Sequence, residues 1–141
     1  MKDAQHWSEA LRTRNLKATN SRVEVLNEIE GYGKAMPYSQ IQHQLQSIDR
    51  VTLYRTLNAL IESGLIHKVS VEDNETFYAI CSQKCTTKEH HHQHVHFRCT
   101  QCKEVTCVQA SGLETLSLPG YQVASFEIQA VGVCSSCVVL R

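Results

Sequence analysis

Two cysteine pairs, Cys99-Thr-Gln-Cys102 and Cys134-Ser-Ser-Cys137, constrain this chain more than any other feature. A two-residue spacer lets both thiolates of one turn face a single ion, and two such turns supply the closed tetrahedral sulfur shell that structural zinc prefers. The interval between the pairs exceeds the roughly 15 to 20 residues of simple zinc ribbons. The ion is therefore expected to clasp a strand-helix-strand unit end to end. A segment of about fifty residues buries too little surface to offset its chain entropy, whereas zinc binding in small motifs contributes ~10–16 kcal/mol. The rival reading is a redox pair or two local disulfides. A thioredoxin-like motif should open a helix beside a βαβ pattern, and neither pair is expected to do so.

The chain has 141 residues, 42% hydrophobic and 20% charged, with seven cysteines and eight histidines. That length suits one ordinary domain or two small ones packed together and is too short for a barrel enzyme. No apolar leader and no run of ~18 apolar residues is present, so a cytoplasmic protein with no membrane partner is expected. In that reducing compartment, thiols in this number are metal ligands more often than disulfides. Net charge is zero, but residues 1–70 carry nine basic against seven acidic side chains while the remainder is acidic by two. So mild an asymmetry steers little, and any nucleic-acid binding rests on local geometry.

The first half reads as helices. Ala4, Trp7 and Leu11 form one stripe, and Val25, Leu26 and Ile29 form another after a cap at Thr19, with Gly31-Tyr32-Gly33 stopping the helix. Pro37 suits the first turn of a third helix carrying Ile41 and Leu45. After Ser47-Ile48-Asp49 comes the strongest helix, Arg50 to Ser63, capped by Asp49 and closed by Gly64, with Leu53, Leu57, Leu60 and Ile61 on one face and Tyr54, Arg55, Asn58 and Glu62 outside it. Two helices joined by so short a turn form a helix-turn-helix, whose second helix enters the major groove of DNA. The β-rich runs Ile66–Val71 and Thr76–Cys81 then read as a hairpin, the wing of a winged helix. Residues 82–93 hold no aliphatic side chain and make a linker. Beyond it, Val95–Cys99, Glu104–Val108 and Tyr121–Val133 read as strands and Gly112–Ser117 as a short helix. The fold class is α+β, with a winged-helix domain over residues 1–82, a hinge at 83–93 and a second domain at 94–141.

Five histidines crowd residues 90–96. His90 to His92 read as a solvated run, while His94 and His96 precede the Cys99 knuckle closely enough to be held rigid, as a selective ligand requires. His67 at the start of the wing and Cys81 at its end could join them, giving one thiolate and three imidazoles drawn from both halves of the sequence. Cys85 is an alternative ligand, and Cys107 reads as a spare core cysteine.

The chain as a whole resembles the ferric uptake regulator superfamily of bacterial metal-dependent repressors. The resemblance is carried by Leu16-Lys17-Ala18-Thr19 with Arg22, by Asp49-Arg50-Val51-Thr52-Leu53-Tyr54-Arg55-Thr56-Leu57, by His94-Val95-His96-Phe97-Arg98-Cys99-Thr100-Gln101-Cys102 and by Cys134-Ser135-Ser136-Cys137. It implies a winged-helix DNA-binding domain, a small α/β dimerisation domain, a structural Zn2+ on Cys99, Cys102, Cys134 and Cys137, and a regulatory metal near the hinge. Iron-type members take a His before the third helix and a Glu near the end of the wing. This chain offers Ala35 or Met36 at the first place and no acid beside Ala79 and Ile80, whereas His67 and Cys81 fall where zinc uptake regulators keep hinge ligands. A thiolate with imidazoles also suits zinc better than Fe2+ or Mn2+. The expected regulatory ligands are His67, Cys81, His94 and His96. Tyr54 and Arg55 are the candidate base contacts, Arg50 and Thr52 contact bases or phosphates, and Lys17, by the family pattern, meets backbone or minor groove.

The implied function is a zinc-responsive repressor that binds palindromic double-stranded operator DNA as a homodimer. The alternatives are iron, manganese or peroxide sensing on the same scaffold. A zinc hydrolase or deaminase is disfavoured, because neither H-E-x-x-H nor the deaminase H-x-E with P-C-x-x-C occurs.

Overall fold

The structure, a computed structural model, describes residues 4–70, 75–80, 94–109, 118–123 and 128–139. The chain divides into two compact units, Met1–His91 and His92–Arg141.

In the first unit, α1 (Ala4–Thr13), α2 (Asn20–Tyr32), α3 (Tyr38–Gln44) and α4 (Arg50–Glu62) pack against a sheet of β1 (Met36–Pro37), β2 (Ile66–Ser70) and β3 (Thr76–Ile80) in the order β1-β3-β2. Each expected apolar stripe turns inward: Trp7 and Leu11 from α1, Val25, Leu26 and Ile29 from α2, Ile41 from α3, and Leu53, Leu57 and Leu60 from α4 share one core with Ile66 and Tyr78. The α4 stripe also takes in Thr56. Its hydroxyl is buried yet satisfied, donating to the Thr52 carbonyl one turn back at 2.7 Å.

Helix boundaries follow local chemistry. Thr19 accepts from the Arg22 N–H to start α2, and Asp49 accepts from the Thr52 N–H at 2.9 Å to start α4. Gly33, at φ 78°, closes α2 in the left-handed region that only glycine enters without strain. Gly31 therefore lies inside the helix rather than stopping it. Pro37 also departs from expectation. It pairs with Phe77 in β1 and serves as the residue before α3, at ψ 146°, instead of occupying the helix's first turn. A proline is tolerated in such a short edge strand because its missing N–H breaks no central ladder. Since Pro37 offers no capping side chain, the α3 N-terminus is served from a distance: a Glu75 carboxylate oxygen accepts from the Ser39 N–H and hydroxyl at 3.3 and 3.2 Å. The connection from α3 to α4 runs over Leu45–Asp49, longer than the three residues expected, because Leu45 leaves the helix and drops into the core.

The expected wing hairpin forms, with Ile66 opposite Ile80 through Ser70 opposite Thr76. Val71 and Cys81, expected in these strands, lie outside the described residues.

The second unit is a sheet of order β5-β4-β6, formed by β4 (His94–Cys99), β5 (Val105–Gln109) and β6 (Gln129–Gly132), followed by α5 (Ser135–Val139). β4 is central, antiparallel to β5 and parallel to β6. The expected long strand over Tyr121–Val133 contracts to β6: Tyr121–Val123 are irregular and exposed, and residues 124–127 lie outside the described set, as does the expected helix at Gly112–Ser117. Among the described residues no helix is long and apolar enough to cross a membrane.

Two outcomes are expected of this packing. Leu57→Ala should destabilise the first unit by ~2–5 kcal/mol, read from the denaturant midpoint, since Leu57 is 1% exposed in a close-packed core. The cap hydrogen bonds from Thr52 hold the Asp49 carboxyl below its ordinary 3.8. A carboxyl depressed by folding stabilises the native state above its unfolded value and ceases to do so as pH falls through the folded one. Asp49→Asn, which keeps an acceptor, should therefore flatten the loss of stability below about pH 4 in acid titrations followed by circular dichroism.

Candidate metal centre and nucleic-acid interface

The four expected cysteines converge. Their sulfurs all lie within 4.8 Å of one another, and Cys102 Sγ stands 3.8 Å from Cys134 Sγ. That separation is far beyond the roughly 2.05 Å of a disulfide. It matches the edge of a tetrahedron with metal–sulfur bonds of about 2.3 Å, which is about 3.8 Å. The donor set and its dimensions fit a structural zinc.

Backbone geometry builds this cluster. After β4 the chain turns tightly, with the Lys103 N–H donating to the Cys99 carbonyl and the Cys99 N–H to Glu104. Lys103 takes φ 65° to complete the turn. The N–H groups of Gln101, Cys102 and Cys134 then all donate to Cys99 Sγ at 3.4 Å. The second knuckle is brought up by β6, where the Gly132 carbonyl accepts from the Thr100 N–H at 2.7 Å.

The thiols titrate apart. Hydrogen bonds from the Cys134 and Cys102 backbones hold Cys99 down at about 5, whereas the neighbouring Cys134 thiol, then burial, push Cys137 up to about 12. Cys134 is also shifted toward the thiolate, chiefly by the Cys137 backbone, whereas Cys102 and Cys137 are shifted against it, and a cation placed among them would stabilise all four as thiolates.

One sequence expectation is corrected here. Cys134-x-x-Cys137 does open a short helix, α5, with the Val138 N–H bonded to the Cys134 carbonyl. The redox reading is opposed instead by the convergence of both pairs on one point, which a sequence-local criterion cannot register.

The expected regulatory ligands are described unevenly. His67 is buried on β2, opposite Ala79. His96 is half-buried at the middle of β4. His94 opens β4, but its side chain lies outside the described residues, as do Cys81, Cys85 and His90 to His92. Ala35 and Met36, at the place of the iron-type histidine, are each 1% exposed and belong to the apolar interior. Cys107, taken from the sequence as a spare residue, stands directly opposite His96 in the β4–β5 ladder. Strand register supplies that juxtaposition, and neither residue's sequence neighbours signal it. Burial pushes the Cys107 thiol up to about 11.

The candidate nucleic-acid face lies on α4. Arg50, Thr52, Tyr54 and Arg55 are exposed, as is Val51, and Tyr54 is 61% exposed despite its aromatic ring. Lys17, also exposed, sits in the α1–α2 loop, whose position is fixed twice: Arg22 donates to the Lys17 carbonyl at 2.9 Å, and Arg14 donates to the Ser63 carbonyl at the C-terminus of α4 at 3.1 Å.

Treatment with a strong zinc chelator under reducing conditions should remove bound zinc and abolish the folded signature of the second unit, and Cys102→Ser should do the same without chelator. Unchanged zinc content and an unchanged amide spectrum would reject the four-thiolate centre.

Comparisons with known proteins agree with this construction. The zinc uptake regulation protein of Mycobacterium tuberculosis (strain H37Rv) is 29% identical over 130 residues, covering 89% of this chain and 92% of that one. The ferric uptake regulation protein of Staphylococcus aureus is 28% identical over 133 residues, covering 90% and 92%. A solved zinc uptake regulator complexed with zinc and DNA superposes with a TM-score of 0.69 at 24% identity over 99% of this chain and 98% of that one, a likeness that establishes the fold. The model of the ferric uptake regulator family matches residues 13–133. The chain therefore belongs to the ferric uptake regulator family, and it is a metal-responsive transcriptional regulator rather than an enzyme.

Proposed function

We propose that this protein is a cytoplasmic, zinc-responsive repressor that binds palindromic operator DNA as a homodimer, holding a structural zinc on Cys99, Cys102, Cys134 and Cys137 and a regulatory zinc on His67, Cys81, His94 and His96. The observation that carries the reading is a capped helix with an exposed Arg50-Thr52-Tyr54-Arg55 face in the same chain as a four-thiol cluster of zinc dimensions. The donor chemistry supports zinc over the alternatives, since a thiolate with imidazoles disfavours the harder Fe2+ and Mn2+. The similarity to a zinc uptake regulation protein points the same way.

Tyr54 and Arg55 make the base contacts, Arg50 and Thr52 at the start of α4 hold phosphates or bases, and Lys17 engages the backbone or minor groove. Two-fold symmetry of the dimer requires a palindromic site, with half-sites about one helical turn apart or a multiple of it. Ligands contributed by both halves of the sequence make metal binding and DNA binding one linked equilibrium. Coupling of ~1–3 kcal/mol is typical of such switches, and operator DNA tightens zinc binding by the same factor that zinc tightens operator binding.

The test is an operator titration at buffered free Zn2+, Fe2+ and Mn2+, with wild type beside Cys81→Ser. Zinc should restore DNA binding to the wild type at the lowest free concentration, and Cys81→Ser should need far more. Restoration by iron or manganese alone would overturn the zinc assignment, and loss of binding on mild peroxide with zinc retained would favour oxidant sensing. Arg55→Ala should cost ~1–3 kcal/mol of operator affinity and relax sequence preference at one position per half-site.

A further inference from the structure

Two large apolar side chains stand exposed among the described residues of the first unit, Val51 at 58% and Tyr54 at 61%, and both belong to α4. Residues three or four apart are neighbours on a helix surface. Val51 therefore shares one strip with Tyr54 and Arg55, clear of the inward stripe of Leu53, Leu57 and Leu60. A lone exposed valine carries no message. Here, however, a β-branched residue sits in the first turn of a helix and faces solvent, where it loses rotamer freedom and gains no packing. A straight-chain or acidic residue would suit that turn better.

The surroundings indicate what such a side chain meets. The first turn of α4 holds no acidic residue and opens with Arg50. Hydrogen bonds from Thr52 hold the Asp49 carboxyl down and the Arg55 guanidinium adds to them, so this second cation bears on the same end of the helix as Val51. An apolar side chain flanked by two guanidinium groups suits a polyanion that carries apolar groups between its charges, and duplex DNA is such a ligand. In the major groove the C5-methyl of thymine is the apolar group on the base edges. The edges of guanine, adenine and cytosine present donors and acceptors that a valine leaves unpaired.

We propose that Val51 is a specificity-determining residue that packs its isopropyl group on a thymine C5-methyl at one position in each half-site. The inference rests on the reading above that α4 enters the major groove of operator DNA. It adds an apolar contact to those of Tyr54 and Arg55, and it fixes where the thymine lies. Val51 and Arg55 are four residues apart, about 6 Å along the helix axis, and successive base pairs are about 3.4 Å apart. The thymine thus falls within two base pairs of the base that Arg55 reads. It also accounts for a valine held in solvent at the start of a helix whose other apolar side chains of that turn point inward.

The experiment uses the full chain at saturating Zn2+. Duplexes are selected by binding from a randomised pool, and each thymine of the recovered half-site is then exchanged in turn for uracil, which removes the C5-methyl alone. The position read by Arg55 is located as the one where Arg55→Ala relaxes preference. In wild type, one exchange within two base pairs of it should weaken binding about fourfold for one half-site and about sixteenfold for both. Val51→Ser should bind the thymine and uracil duplexes alike at that position, the loss of coupling that marks a direct contact, while penalties at other thymines stay as in wild type. Uracil penalties that persist unchanged in Val51→Ser, or a recovered half-site with no thymine there, would overturn the proposal. Should that variant misfold, Val51→Gln, a straight-chain residue of good helix propensity, replaces it with the same expected loss. The two readings fail separately. Specific binding with uracil penalties indifferent to the Val51 substitution sinks only this inference, whereas a pool that yields no preferred duplex at any zinc concentration sinks the operator-binding function and this inference with it.

Discussion

Four sulfur atoms gathered from two turns hold the second unit together, and the constraint is electrostatic as much as geometric. Three backbone N–H groups converge on Cys99 and favour its thiolate, while the crowding of like groups resists ionisation of Cys137. Left to itself such a cluster is frustrated, since each further anion raises the cost of the next. A divalent cation removes the conflict and converts repulsion into cohesion. The sheet of only three described strands can then persist on little apolar burial, with Cys99 and Val105 fully enclosed and Val108 and Val131 left in solvent.

The first unit is stabilised differently. Its cohesion comes from a continuous apolar core, and its surface chemistry is organised by backbone-directed hydrogen bonds. Arg14 and Arg22 each spend a guanidinium on a carbonyl, one at the end of α4 and one at Lys17. A loop that could wander is thus fixed relative to the helix that presents Tyr54 and Arg55. Preorganisation of this kind lowers the ordering cost that a binding surface meets when it engages a partner.

Much of this was legible in the sequence wherever a local rule decided the outcome. The α4 stripe, the caps at Thr19 and Asp49, the wing and the pairing of the two knuckles all follow from spacing and residue type. Long-range decisions were hidden. Pro37 reads as a helix starter but pairs with Phe77 across the unit, and nothing near Pro37 announces that partner. The stretch from Tyr121 to Val133 is apolar enough for a long strand, yet among its described residues the strand runs only over Gln129–Gly132, where β4 supplies the partner. Cys107 meets His96 through a register that two strands settle jointly. The exposed residues of α4 were accessible to sequence reasoning because a helix's outward face is fixed by its inward one; a set of side chains drawn from several strands has no such internal ruler.

The parallel pairing of β4 with β6 bears on how the chain acquires its shape. An antiparallel hairpin such as β4–β5 can zip from its turn, but a parallel neighbour requires a long excursion of chain to close first, and that closure is slow. Cys102 and Cys134 sit at the two ends of that excursion. An ion captured first by the Cys99 turn would tether the far knuckle as soon as it arrived, turning a diffusive search into a local one. With zinc on that site, the availability of metal during synthesis would set how quickly the second unit matures, as well as how stable it is once formed.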